Sequence, residues 1–195
     1  QNKDFFTNAR AVICQSKKHS QVVQKNLLLN NVVNSAGNIW TVEQLAVLEK
    51  NLDAEKTIEF AILNSHNKNK GMPAAIEFCQ QNNLPFEYLN EAPFDKYIEN
   101  ISRIKHLVFF PQWLESYSRL AIEARILGCK LVTNSLLGAA SEDYFKLKGK
   151  ELLEFIKENN TIIVDRWIKL IEDNEINHIA PIELPKITVF CPIYN

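Results

Sequence analysis

The chain has 195 residues, of which 46% are hydrophobic, enough to bury one substantial core. Its 22 basic and 23 acidic residues give a formal net charge of −1, which argues against a nucleic-acid-binding protein with a basic face. No apolar run reaches the roughly 18 residues of a membrane span, and no charged-then-apolar leader follows the first residue, so the sequence predicts neither a membrane span nor a signal peptide. Because the first residue is Gln rather than Met, we expect the chain to be part of a longer protein.

Residues 1–55 carry the first predicted elements. These are a strand at 11–14, a helix capped by Ser16 that runs to about Leu27, and a strand at 32–34. Thr41 with Gln44 three residues later forms a capping box, the pattern that begins a helix. Leu45, Leu48 and Leu52 then lie on one face of that helix.

From residue 57 onward, strands alternate with helices. The predicted strands are 57–63, 86–89, 106–110 and 130–133. The predicted helices are one with Pro73 in its first turn, one opened at Pro93, one capped by Ser116 and ending at Gly128, and two or three across 142–157 and 162–173. This alternation predicts an α/β fold with a Rossmann-like, doubly wound parallel sheet.

Ligands of such sheets bind outside the carboxyl ends of the strands, near the topological switch point. The rule selects four loops of this sequence as the place to look for a site. They are 64–71, 90–93, 111–116 and 134–139.

The last segment of the chain changes in composition. Residues 174–185 are polar with two prolines and are predicted to be a linker. Beyond it, residues 186–191 have the pattern of a fresh strand. The predicted division is therefore 1–55, a sheet domain at 56–173, a linker at 174–185 and a terminal strand at 186–195.

Two glutamates, Glu115 and Glu123, lie eight residues apart around the start of the helix that follows the buried strand 106–110. A helix amino terminus presents free N–H groups and partial positive charge, which suit a phosphate. Glu123 lies two turns into the helix, beside a predicted core stripe of Leu120, Ala124 and Leu127. A carboxylate there can accept hydrogen bonds from a ribose diol.

This pattern resembles the retaining glycosyltransferases of the GT-B fold, whose signature is a Pro-containing strand exit followed by Glu-x7-Glu and a glycine. The resemblance covers Pro111, both glutamates, Gly128 and the strand at 130–133. It implies that Glu123 holds the ribose of a nucleotide-sugar donor and that Glu115 is the catalytic carboxylate that contacts the donor sugar. The sequence Gly138-Ala139-Ala140-Ser141-Glu142 is similar to the family's Gly-Gly-x-Pro-Glu turn, with two substitutions.

The resemblance also implies residues for the diphosphate. Lys70-Gly71 stands where the family carries Lys-Gly, but Ser65 stands where the family has an arginine. This departure weakens phosphate binding or transfers it to other cations and donors. The residues expected to take part are Lys70, Gly71, Lys68, Arg119, and the helix start at Ser116 and Ser118.

Both ends of the chain resemble parts of glycosyltransferases. Residues 5–34 are similar to the last strand and helix before the interdomain crossing of GT-B enzymes. Residues 187–195 resemble the opening strand of a GT-A glycosyltransferase domain; a plain C-terminal strand is the alternative. A tandem glycosyltransferase is one expectation for the parent protein.

The resemblance thus implies one half of a GT-B fold: the donor-binding domain of a hexosyltransferase-type enzyme. The expected donor is a nucleoside-diphosphate sugar and the expected acceptor is a glycan or lipid-linked glycan. The expected process is bacterial surface polysaccharide synthesis, at the inner face of the membrane. With the acceptor side largely missing, we expect donor binding but poor turnover. One alternative is a non-catalytic interaction module, which Ser65 favours. Another is a flavodoxin-like regulatory domain, which requires a cluster of acidic residues at the strand ends.

Neither the cysteines nor the histidines show metal-ligand spacing, so we expect no metal or cofactor. The cysteines lie in apolar stretches at 14, 79, 129 and 191, and are expected to be reduced core thiols of a cytoplasmic protein. The histidines at 19, 66, 106 and 178 are dispersed. The absence of Gly-x-Gly-x-x-Gly disfavours a dinucleotide-dependent oxidoreductase.

Overall fold

A computed structural model describes residues 3–172 and the backbone of residues 188–189. The helices are α1 (Lys3–Thr7), α2 (Lys17–Leu27), α3 (Val42–Lys50), α4 (Met72–Gln81), α5 (Phe94–Ser102), α6 (Arg119–Ile126) and α7 (Gly149–Glu172). The strands are β1 (Val12–Cys14), β2 (Val32–Asn34), β3 (Ile58–Leu63), β4 (Glu87–Leu89), β5 (Ile104–Phe109), β6 (Lys130–Thr133) and β7 (Thr188–Val189). Short 3-10 helices lie at Lys68–Lys70, Ala139–Ser141 and Asp143–Lys146.

The larger sheet has four parallel strands in the order β4-β3-β5-β6. Successive residues of its central strands enter different cores, as the alternation of a strand requires. Ala61 and Leu107 belong to the core shared with α3, α5, α6 and α7, whereas Ile62 and Val108 belong to the core under α4. Helices therefore cover both faces, and the predicted doubly wound α/β sheet is confirmed.

A second, smaller sheet has the order β2-β1-β7, with all strands parallel. Its strand β7 pairs with β1 through Val12 opposite Thr188 and Ile13 opposite Val189. The predicted linker at 174–185 lies outside the described residues. The assignment of the terminal strand to a further glycosyltransferase domain stays a prediction.

The switch point of the larger sheet lies between β3 and β5. The chain leaves β3 toward β4 on one side, then crosses back to β5 on the other side. The two loops that leave these strands pack together, because the Gln112 amide donates to the carbonyl of Asn69 at 2.9 Å. A ligand site is expected where such loops diverge.

One helix, α7, replaces the two or three helices predicted across 142–157 and 162–173. The predicted break between them, residues 158–161, contains Asn159 and Asn160, which are weak helix formers. Both amides instead bind other segments: Asn159 donates to the carbonyl of Ala36 at 3.0 Å and Asn160 donates to that of Trp40 at 2.7 Å. These tertiary contacts stabilise the helical conformation at both asparagines, so a single 24-residue helix forms. Residues 143–146 form a 3-10 helix rather than the start of an α-helix.

Other predicted boundaries differ by one or two residues. Strands β3 and β4 begin one residue later than expected, and β5 begins at Ile104, two residues earlier. Ser16 caps α2 by accepting from the amide of His19, as predicted. Three cysteines, Cys14, Cys79 and Cys129, are buried free thiols, and Cys191 lies outside the described residues. Within the described part of the chain, no helix combines the length and apolar character needed to cross a bilayer.

The capping box of α3 offers a test of local stability. Thr41 accepts from the amide of Gln44 at 3.2 Å, and the Gln44 side chain accepts from the amide of Thr41 at 3.0 Å. We expect Thr41→Ala to lower the free energy of unfolding by about 1 kcal/mol, because the helix loses this cap. Urea unfolding measures the change. The exposed neighbour Val42 is the control, and a similar loss in Val42→Ala would contradict the capping explanation.

Candidate functional site

Helix α6 begins later than the sequence predicts. Ser118, not Ser116, is its N-cap, with the hydroxyl accepting from the amide of Ala121 at 3.3 Å. The prediction failed because the residues before Ser118 are held by tertiary contacts. The Glu115 amide donates to the Leu136 carbonyl at 3.0 Å, and Glu115 forms a parallel bridge with Leu137. This extended pairing prevents the helix from starting at Ser116.

Ser116 joins the larger sheet to the segment after β1. Its hydroxyl donates to Gln15 Oε1 at 2.7 Å, and its carbonyl accepts from the Ser16 hydroxyl at 2.6 Å. Ser116, Tyr117 and Ser118 are all buried. The predicted phosphate-binding start of the helix is therefore buried, in contact with the segment after β1, and both serine side chains are already hydrogen-bonded.

Glu115 and Lys70 form a mostly buried ion pair. The Lys70 Nζ lies 2.7 Å from Glu115 Oε2, and their side chains are 19% and 8% exposed. The pair connects the loop after β3 with the loop after β5, across the switch point of the sheet. The structure thus brings together the predicted catalytic carboxylate and the predicted phosphate-binding lysine.

The loop after β3 places the other predicted residues differently. Gly71 adopts a left-handed conformation with φ of 67°, and a Cβ added there would meet the Phe110 carbonyl oxygen at 1.7 Å. Only glycine allows the two loops to approach this closely. Lys68 is exposed on the same 3-10 helix, and its carbonyl accepts from the Gly71 amide.

Glu123 is buried, although the sequence places it beside the core stripe of α6. Its Oε1 accepts from the Trp40 indole N–H at 2.9 Å and from Arg119 Nε at 3.3 Å. Arg119 also stacks 4.9 Å from the Trp40 ring and donates to Gln44 Oε1 at 3.0 Å. Burial raises the pKa of Glu123, against the opposing effect of Arg119 and Trp40. Across the described residues, both hydrogen bonds that this carboxylate accepts end on Oε1, which leaves Oε2 for a further donor.

A cavity of about 510 Å³ opens at the carboxyl ends of β3 and β4. It falls within the size range of small-molecule sites, roughly 300–1,000 Å³. Its walls come from the loop after β3, the loop after β4 and the first turn of α5. The lining residues are Leu63, Asn64, Ser65, His66, Asn67, Lys70, Glu91, Ala92 and Tyr97.

Tyr97 lines this cavity, and the pKa of its hydroxyl responds to the charge of Glu123. Burial raises the pKa of the Tyr97 hydroxyl, and the negative charges of Glu123 and Glu91 raise it further. Both cavity loops are among the four predicted from the sequence, but Tyr97 is not among the predicted site residues; its signal is its position one turn into the helix opened at Pro93.

The turn at residues 138–142 packs against the loop after β5. The Gly138 amide donates to the Glu115 carbonyl at 2.7 Å, and the Ala139 amide donates to the Tyr117 carbonyl at 3.1 Å. The Glu142 carboxylate is buried and accepts from the Lys17 amide at 2.6 Å. In residues 3–172, no group of three or more His, Cys, Asp or Glu residues is arranged to hold a metal ion.

The fold is that of the GT-B glycosyltransferases, as two solved structures show. Sucrose-phosphate synthase from Thermosynechococcus elongatus is 12% identical with a TM-score of 0.59, over 86% of this chain and 60% of its own. HepE from Anabaena, solved in complex with UDP and glucose, is 15% identical with a TM-score of 0.50, over 87% of this chain and 59% of its own. This chain thus spans about three fifths of either neighbour's length. No family model and no curated protein matches the sequence.

The predicted GT-B fold is therefore confirmed. The likeness shows the fold alone, so the retaining Glu-x7-Glu pattern and the role of each site residue stay predictions.

Proposed function

We propose that this chain is the donor-binding part of a glycosyltransferase and that a nucleoside-diphosphate sugar binds in the cavity at the ends of β3 and β4. The observation that carries the proposal is the position of this cavity, beside the switch point of a GT-B fold, with Lys70 in its wall. The structural neighbour HepE, solved with UDP and glucose, supports this class of ligand.

Different residues are proposed to bind the diphosphate, the ribose and the base of the donor. Lys70 supplies the cation for the diphosphate, since an ammonium on a flexible stem suits phosphate oxygens. Glu123 is proposed to hold the ribose through its second carboxylate oxygen; because this carboxylate is buried and does not line the cavity, the ribose must displace part of the cavity wall to reach it. The loop after β4, with Glu91 and Ala92, faces the base.

Glu115 is proposed to contact the donor sugar, since it lies directly beside Lys70. Arg119, Gly71, Ser116 and Ser118 act mainly by fixing this geometry, because their side chains or backbones already bind other parts of the chain. Lys68, on the exposed side of the same 3-10 helix, adds positive charge at the entrance. Departure of the nucleoside diphosphate is then helped by positioning and electrostatic stabilisation.

Activity of the whole enzyme requires more than this domain. The proposed acceptor is a glycan or lipid-linked glycan, and the proposed process is surface polysaccharide synthesis at the cytoplasmic face of a membrane. A GT-B enzyme closes two lobes around donor and acceptor, so we propose that this chain alone binds donor but turns over poorly.

Binding of UDP and of GDP, measured by calorimetry, tests the proposal. We expect binding of at least one of them, and we expect Lys70→Met to weaken it at least tenfold, because a charge-assisted contact to phosphate is worth about 1.5–3 kcal/mol. Lys105, paired with Glu59 near the opposite end of the sheet, provides the control variant Lys105→Met. No binding of either nucleotide at millimolar concentration would reject the proposal for this chain.

A non-catalytic interaction module is the second candidate. Ser65 favours it, because this residue lines the cavity at the position where the resembled family carries an arginine. Ser65→Arg separates the two. If the unchanged chain binds no nucleoside diphosphate and Ser65→Arg gains binding, the cavity is a remnant of a donor site. If the unchanged chain binds already, the first candidate stands.

A further inference from the structure

The Lys70–Glu115 pair has an unequal relation to the cavity. Lys70 lines the cavity wall, whereas Glu115, in the loop after β5, is not one of the residues that line it. The ammonium that a diphosphate would use is thus already in contact with a carboxylate at 2.7 Å. A carboxylate and a phosphate oxygen are both anionic acceptors, so they compete for the same donor.

The backbone of Glu115 is fixed on both sides. Its amide donates to the Leu136 carbonyl at 3.0 Å, and its carbonyl accepts from the Gly138 amide at 2.7 Å. A Cβ added at Gly138 would meet the Glu115 carbonyl oxygen at 2.6 Å, so the two backbones are in close contact. Separation of the pair therefore requires rotation of the Glu115 or the Lys70 side chain rather than movement of the Glu115 loop.

We propose that Glu115 occupies the phosphate position on Lys70 when the site is empty, and that the diphosphate of the donor displaces it. This inference rests on the proposed function. The exchange makes donor arrival and release of the Glu115 carboxylate a single event, because Lys70 passes from carboxylate to phosphate. Glu115 becomes available to the donor sugar only when a diphosphate is bound.

The exchange predicts the direction in which Glu115 changes the affinity for a diphosphate. Glu115 lowers the affinity for a diphosphate, through competition for Lys70 and through repulsion between two anions a few ångströms apart. Removing its charge should strengthen binding. A Glu115 side chain that only contacts donor sugar and plays no part on Lys70 predicts no such gain for UDP.

The test compares UDP with uridine by calorimetry, in the unchanged chain and in Glu115→Gln. We expect Glu115→Gln to bind UDP at least tenfold more tightly and to bind uridine with unchanged affinity, since only the phosphates meet Lys70. Glu59→Gln is the matched control, because Glu59 also pairs with a lysine, Lys105 at 2.6 Å, but near the opposite end of the sheet. It removes one negative charge without touching the cavity.

Lys70→Met provides the second comparison. In that background, Glu115→Gln should give much less gain for UDP, because the contested cation is gone. Glu115→Asp covers the case in which Glu115→Gln does not fold: its shorter side chain should also bind UDP more tightly than the unchanged chain. Equal or weaker UDP binding in a folded Glu115 variant, while the unchanged chain binds UDP, overturns the exchange and leaves the donor site intact. If neither UDP nor GDP binds any of the chains, both proposals are overturned; if GDP binds instead of UDP, the same comparison is made with GDP and guanosine.

Discussion

Gly71→Ala is expected to lower the free energy of unfolding by about 3 kcal/mol or more, from two costs acting together. A left-handed φ of 67° costs a non-glycine residue roughly 1–2 kcal/mol. The new methyl would also meet the Phe110 carbonyl oxygen at 1.7 Å, and overpacking of this kind costs roughly 1–3 kcal/mol. The neighbour is backbone, so it cannot rotate away.

Two other glycines separate these costs. Gly149 has a φ of 60° and no atom within 4 Å of an added Cβ, so Gly149→Ala should cost only about 1 kcal/mol. Gly138 has a helical φ of −64° but would meet the Ser116 carbonyl oxygen at 2.2 Å, so Gly138→Ala should cost about 2 kcal/mol. Urea unfolding of the three variants should show the largest loss of stability for Gly71→Ala, a smaller loss for Gly138→Ala and the smallest loss for Gly149→Ala. A Gly71 variant no less stable than the Gly149 variant would mean that the two loops are not in contact.

Glu123→Ala is expected to lower the free energy of unfolding by about 3 kcal/mol. The change leaves the buried Trp40 indole N–H without its acceptor, removes the partner of Arg119, and creates a cavity. Arg119 is one-third exposed, so water compensates for part of its loss. Glu59→Ala, at an exposed ion pair, is the control and should change stability by less than about 0.5 kcal/mol. Thermal or urea unfolding measures both.

The pH dependence of the same residue has a predictable sign. Burial raises the pKa of Glu123 in the folded chain above its value in the unfolded chain. The cost of ionising it in the fold is therefore absent below the unfolded pKa, about 4.3, and is complete above the folded pKa. Relative to Glu123→Gln, the unchanged chain should lose stability as the pH rises from about 4 through the folded pKa. A difference that does not vary with pH in this window would contradict the burial of an ionisable carboxylate.

The predicted strands and most helix starts were correct because their signals are local. Ser16 and Thr41 cap helices through amides three residues away, and the apolar strands 57–63 and 106–110 predicted the centre of the sheet. These features need only neighbouring residues, so the sequence reveals them directly. The choice of loops at the carboxyl ends of the strands likewise follows from the topology alone.

The arrangement of the candidate site could not be predicted in the same way. Lys70 and Glu115 are 45 residues apart, and Trp40 and Glu123 are 83 residues apart, so no periodicity links either pair. The start of α6 was misplaced for the same reason, because Leu136 and Leu137 hold Glu115 in an extended conformation. Local sequence patterns therefore do not predict contacts between polar residues that lie far apart along the chain.

Helix α7 has a mechanical consequence for the two sheets. Its 24 residues extend about 36 Å, at 1.5 Å per residue. The first half contributes Leu152, Leu153 and Ile156 to the core of the larger sheet. Near its other end, Arg166 donates to the Asn34 carbonyl of β2 at 2.9 Å. The helix therefore connects the two sheets as one continuous element. A change in the angle between the sheets must bend this helix or break its contacts at one end. We therefore expect α7 to resist rotation of the two sheets relative to each other within the described part of the chain.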